Sequence, residues 1–453
     1  MHPQAICWAA ICAVLGAPAS AYGDGSTTLI KAEKVIVRPG KIEEKTSVLV
    51  QDGKIVAIGA NLTAPEGARE IEGKVVCAGF IDAWSTFGVD EAALRDERIS
   101  AASMTSDALN PYVDERYRLE ILRAGVTALR VGVAPNGKVG GVGAVIRNHP
   151  RSSERDVVLL KDACVTLGVG VTRGARGMDP FDRLADVDRA LGALGDGLSY
   201  LQDKVEYKHE LEAWQKSIAD KEKELDENAK KAKKDREKEK SEAEKAGKEF
   251  KEKAYKEDKR PKAPRWDDDK EVLARAANGE LPVVIEAHRA IELRSLLEGA
   301  DKYDRVRWIL AGASDAADFA EQLAEHEIPV LIVPMPLGQF RADEQRDADP
   351  SLPGRLNEAG VRLLIGSGPE RALGSRDLPI LAQLAIGNGL PREKAFEALT
   401  LGAARAFDVS QRIGSVEVGK DADLLVLDGE PLVAGTRVRY VLSGGDLVIT
   451  PEN

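Results

Sequence analysis

The chain has 453 residues, 43% of them hydrophobic, which is enough for a packed core and excludes a chain that is disordered throughout. Its formal net charge of -11, from 75 acidic and 64 basic residues, speaks against nucleic acid and anionic membrane surfaces. Both are held by clustered, uncompensated Lys and Arg.

Residues Ala5 to Ala17 form an apolar run of signal-peptide length, too short to span a bilayer, and Ala19-Ser20-Ala21 supplies an A-x-A cleavage site. No Lys or Arg precedes the run, so a buried N-terminal strand or helix is the competing reading. We take residues 1–21 as an export signal and expect a periplasmic or extracellular product without a membrane span. Neither Cys7 nor Cys12 follows the small residue that a lipoprotein site prefers. Cleavage leaves Cys77 and Cys164, both in apolar strand-like runs, and two free thiols are expected rather than one disulfide. No zinc-type Cys spacing exists.

From Thr27 to Ile71 the pattern is one of short strands, with Asp52-Gly53 as a hairpin signal because a tight turn needs positive φ. Complementary strands recur in DADLLVLDG, RVRYVLSGG and LVIT. The two chain ends, residues 22–74 and 412–453, are therefore expected to pair into one composite β domain. Between them, residues 75–411 alternate strands that are apolar throughout with amphipathic helices, as in LPVVIEAH, IELRSLLEGADKY and RVRWILAG. That pattern implies a parallel sheet covered by helices. Eight such units close a barrel whose functional groups lie at the C-terminal strand ends; a doubly wound open sheet is the alternative. A run of Lys and Glu at about 201–265 interrupts the alternation. Leu211, Trp214 and Ile218 keep a helical stripe there, so the first part should dock and the rest form a solvated helix held by Glu–Lys pairs. A coiled-coil partner is the competing use of this segment.

The stretch Val75 to Gly88, VVCAGFIDAWSTFG, reads as a buried strand ending in a polar mouth. Together with LPVVIEAHRA at Leu281 to Ala290, EKAFEALTLGAARAF, and IGSVEVGKDADLLVLDG at Ile413 to Gly429, it resembles the amidohydrolase superfamily, imidazolonepropionase-like members included. The resemblance implies a TIM-like (β/α)8 barrel with a small β-sandwich domain built from both chain ends. It also implies hydrolysis of C–N bonds other than peptide bonds, assisted by one or two metal ions, commonly zinc.

Carried over residue by residue, the family's ligands are mostly missing. The two first-strand histidines fall on Trp84 and Thr86, the sixth-strand histidine on Ala311, and the eighth-strand aspartate on Gly368; only the fifth-strand histidine survives, as His288. No other histidine pair at ligand spacing replaces them. We therefore expect no metal or other cofactor. The former metal site becomes a pocket of Trp84, Thr86, His288, Ala311 and Gly368, with Arg289, Asp315, Ser367 and Glu370 as candidate ligand-binding groups and His288 as the candidate catalytic residue. The preferred expectation is a degenerate site that binds a small molecule or a partner, either a second copy or an active paralogue. A rebuilt mononuclear or metal-free hydrolase around His288 is the alternative, and an interaction protein acting through the charged helix a third. GVAPNGKV at Gly132 to Val139 is rejected as a P-loop because Val139 stands where Ser or Thr must meet magnesium. The glycines of GKVGGVGAVIR suit a loop or hairpin against the barrel. Ser85 and Ser367 fit no nucleophile motif.

Overall fold

The computed structural model describes residues 27–90, 93, 99–110, 113–133, 139–149, 157–169, 180–245, 259–334, 349–368 and 374–451, with side chains of the 180–245 segment described through residue 223. The segment expected to be an export signal, residues 1–21, and Glu370 lie outside these residues. Strands β1 (Thr28–Arg38), β2 (Lys41–Gln51) and β3 (Lys54–Gly59) form an antiparallel meander, and the β2–β3 turn places Asp52 and Gly53 at φ of 49° and 77°. Strand β4 (Arg69–Ala78) lies parallel to β1.

The largely buried strands β5 (Phe80–Ser85), β6 (Val126–Val131), β7 (Val139–Arg147), β8 (Val158–Gly168), β9 (Val283–Ala287), β10 (Trp308–Gly312), β11 (Val330–Ile332) and β12 (Leu363–Ile365) make an eight-stranded sheet in sequence order. It curls until the end of β12 meets β5, where the Gly368 N–H donates to the Trp84 carbonyl at 2.9 Å. Every neighbouring pair is parallel except those made by β7, which runs antiparallel to both β6 and β8. The glycine-rich stretch expected to be a loop or hairpin is thus a barrel strand in a hairpin arrangement. Its glycines leave room for a buried arginine, described below.

The C-terminal strands β13 (Leu424–Leu427), β14 (Val438–Ser443) and β15 (Asp446–Ile449) join the N-terminal ones in a seven-stranded sheet, ordered β15-β14-β13-β4-β1-β2-β3. Before β13 the chain bonds back to the start of β3, with Ile55 N–H to Lys420 O at 2.9 Å and Gly419 N–H to Ile55 O at 2.8 Å. The sheet therefore folds over its own core of Ile30, Val48, Val76, Leu424 and Leu442, all fully buried.

Helix α1 (Glu115–Arg123) precedes β6, and the charged run as far as Lys245 belongs to one 66-residue helix, α2 (Pro180–Lys245), that begins well before the run itself. Val187, Ala190 and Leu194 on its first turns are fully buried, and Lys204 pairs with Glu271 of α3 (Asp268–Ala277) at 2.8 Å. Leu211, Trp214 and Ile218 are half-buried. Docking thus rests on an apolar face N-terminal to the charged segment, as amphipathic periodicity requires. No helix among the described residues is long and apolar enough to cross a membrane, and Cys77 and Cys164 are free and buried.

Candidate functional site at the barrel mouth

Strand periodicity sorts the barrel residues into two faces. Ile81, Ala128, Val284, Ile309, Leu331 and Leu364 pack together inside, while alternate residues such as Phe80, Leu129, Val283 and Leu310 belong to the outer core under the helices. Trp84, 5% exposed, and Ala311, fully buried, join the inner cluster. Thr86 is buried one residue beyond β5, and Gly368 follows β12 at φ 91°. The structure therefore brings the positions to which the resemblance assigns ligands to one end of the barrel, where they contribute indole, hydroxyl, methyl and backbone.

His288 stands one residue past β9 and is held from several sides. Helix α4 (Ala290–Ala300) starts beside it, and Glu292 of its first turn accepts the backbone N–H groups of His288 (2.8 Å) and Arg289 (3.0 Å) through Oε2. The other Glu292 oxygen accepts from Arg183 of α2, so the long helix braces the same turn. The imidazole Nδ1 lies 3.0 Å from Ser314 Oγ, and Nε2 lies 3.5 Å from Glu286 Oε1. Asp315 accepts the Ala290 N–H at 2.8 Å and faces the Arg289 guanidinium at 3.6 Å. Arg289 and Asp315 thus meet each other at the helix start.

Close approach of the imidazole to β10 depends on Gly312. At φ +83°, a Cβ there would lie 2.3 Å from His288 Cε1. Gly312→Ala should combine left-handed strain with overpacking, at a cost of about 2–4 kcal/mol, and should displace the ring. Chemical denaturation and the His288 imidazole NMR resonances would register both effects; unchanged resonances would contradict the packing.

Two buried polar groups were not singled out from sequence. Asp82 is fully buried at the seam between β5 and β12. Its Oδ1 accepts the Trp84 N–H (3.0 Å) and Ser367 N–H (2.9 Å), and its Oδ2 accepts the Ser375 hydroxyl (2.7 Å). Ser85 reaches the same hydroxyl at 2.9 Å, and Ser367 Oγ donates to the Trp84 carbonyl at 3.3 Å. Ser367 is therefore part of the barrel seam. Inside the barrel, fully buried Arg130 donates from Nη2 to Cys164 Sγ (3.0 Å) and also to Thr166 Oγ1, over the Phe407 ring. Gly132 and Gly143 flank this guanidinium where a Cβ would lie 3.1 Å from it. The available signal was a lone arginine in the otherwise mostly apolar strand β6.

A zinc pair needs several imidazole, thiolate or carboxylate donors converging on each ion. At the mouth, His288 and Glu286 are the donors the described strand ends supply, and His288 Nδ1 already meets a hydroxyl. Among the described residues no group of three His, Cys, Asp or Glu side chains lies close enough to hold a metal. The donor set does not fit the group that the resemblance implies.

Residues 368–449 match the model of the amidohydrolase family. An adenine deaminase from Rubrobacter xylanophilus is 35% identical over 80 residues, which cover 18% of this chain and 13% of that protein. An imidazolonepropionase from Syntrophobacter fumaroxidans is 29% identical over 163 residues, covering 32% and 36% respectively. The matched spans thus amount to well under half of these curated relatives. The structure of an amidohydrolase from Thermotoga maritima superposes with a TM-score of 0.68 at 22% identity, over 93% of this chain and all of that one. The C-terminal sequence match and the shared fold support membership of the amidohydrolase superfamily. Within the amidohydrolase fold, the family match begins at Gly368, the former aspartate position, and runs through the β domain. The family match therefore covers the end of the barrel, the barrel-to-sheet junction and the C-terminal strands.

Proposed function

We propose that this chain is an exported amidohydrolase-superfamily protein whose barrel mouth has given up the metal pair. In this reading it binds a small ligand, or completes a partner subunit such as an active paralogue, instead of running metal-assisted hydrolysis. One observation carries it: Trp84 and Ala311, at ligand positions on the first and sixth strands, pack into the apolar barrel core. A desolvated indole stabilises that core and disfavours a nearby divalent ion. Elemental analysis of the purified protein should find no stoichiometric zinc. One zinc per chain retained through chelator washing would defeat the proposal.

A second reading is a metal-free hydrolase, and the contacts of His288 favour it over a rebuilt metal site. Ser314, half-buried in the turn after β10, the His288 imidazole and the Glu286 carboxylate form a chain of nucleophile, base and orienting acid. Ser314 Oγ would attack a carbonyl carbon while His288 takes its proton and returns it to the leaving group; water would then release the acyl group. This reading expects Ser314→Ala and His288→Ala each to lower turnover of amide, lactam or ester substrates by about a thousandfold or more without shifting the melting temperature. Turnover at the parent's level in either variant would exclude it.

A further inference from the structure

A concave site lies where the barrel meets the β domain, and it shares no lining residue with the mouth. It is a cleft of about 530 Å3, a size that suits a small ligand. Its apolar floor includes Phe80, Leu427 and Leu432, each at most 7% exposed. Ile380, on the bordering helix Leu378–Gly387, is 56% exposed, so apolar surface continues to the rim.

The charge around this cleft runs against the acidic balance of the whole chain. Four exposed arginines line it: Arg123 at the end of α1, Arg376 before the Leu378–Gly387 helix, and Arg437 and Arg439 at β14. No Asp or Glu is among its lining residues. Arg376 is matched by Glu120 at 3.2 Å and Asp377 at 3.6 Å. Arg123, Arg437 and Arg439 make no ion pair or side-chain hydrogen bond among the described residues; Asp428, the nearest acid along the strand, accepts the Arg437 backbone N–H. Holding like charges around one opening is unfavourable unless an anion joins them, and guanidinium groups suit carboxylate, sulfonate or phosphate oxygens in a forked geometry. An apolar floor beneath such a rim selects a ligand with both characters.

We propose that this junction cleft binds an organic anion with an apolar body, its charged head on Arg437, Arg439 and Arg123 and its body on the floor beneath. The site is separate from the barrel mouth and stands whether or not the mouth reacts.

Anilinonaphthalene sulfonate, which has both features, is the probe. Titrated into the full chain, its fluorescence should report one saturable site, displaced by dodecanoate but not by dodecyltrimethylammonium. An Arg437→Ala/Arg439→Ala double variant should bind about tenfold or more weakly, as expected for losing a charge-assisted hydrogen bond, with an unchanged melting temperature. His288→Ala should bind like the parent. Absence of saturable binding, wild-type affinity in the double variant, or equal displacement by the cationic amphiphile would each overturn the proposal.

Discussion

Replacing Asp82 by alanine should destabilise the protein by about 3–5 kcal/mol, because it strips a shared acceptor from two buried backbone N–H groups and a buried hydroxyl at the closing seam. Asparagine should behave differently. Its oxygen still accepts from Trp84 and Ser367, and its amide can donate to Ser375 Oγ, so a change within about 1.5 kcal/mol is expected. Burial raises the Asp82 carboxyl above the ordinary value of 3.8, although hydrogen bonds from Ser367, Ser375 and Trp84 oppose it. Between the unfolded value and that raised folded value the native state binds more protons than the unfolded state. Stability contributed by this residue is therefore complete below the unfolded value, falls as pH rises through the folded one, and is flat above it. Urea denaturation across the acid to neutral range should reveal this component in the parent and its absence in Asp82→Asn; an identical pH slope in both would refute the assignment.

Arg147→Met should cost a similar amount, about 3–5 kcal/mol, since it removes the cation between two buried carboxylates. Arg147 ends β7, the reversed strand, and so stands at the end of the barrel opposite the mouth. There its Nη2 donates to Asp421 (2.6 Å) and Asp423 (2.9 Å), and its Nε donates to Asp423 at 3.0 Å. Lys54 and Arg412 also bond Asp421, so three distant segments converge on one acid. Lysine at position 147 keeps the charge and loses the fork, and should lose about 1–2 kcal/mol. Burial alone would raise the Asp421 carboxyl, but Lys54, Arg147 and Arg412 hold it below the ordinary range. Its stabilising contribution is present above the unfolded value of 3.8 and is lost as pH falls through the lower folded one. The junction should therefore be acid-labile, and Arg147→Met should blunt that lability in an acid unfolding titration.

Much of this arrangement was legible before any coordinates. The D-A-D of the Ile413 to Gly429 stretch is part of the motif that carries the resemblance, and the structure gives both its acids a partner in Arg147. The alternation of apolar strands and helices gave the barrel, but could not show that β7 runs backwards, because an apolar strand looks the same in either direction. The docking face of the long helix lay before the charged run, in residues such as Val187 and Leu194 that are less conspicuous than the lysines after them.

The candidate site divides along the same line. Substitutions at Trp84, Thr86, Ala311 and Gly368 could be read from motif positions because each sits at a set offset from the end of its strand. The seam around Asp82 could not, since Ser367 and Ser375 are 285 and 293 positions away in the chain. The contact of His288 with Ser314 likewise depends on Gly312 admitting the ring. The four arginines of the junction cleft come from three separated segments.

By itself the sequence determined the fold family and the pairing of the chain ends. Those properties are written in local periodicity, in turn chemistry and in residue identity. Tertiary structure alone decided which polar groups share a buried acceptor, which strand is reversed and where unpaired positive charge accumulates. Each of those depends on distances between residues remote in the chain, and burial makes the resulting contacts strong enough to matter.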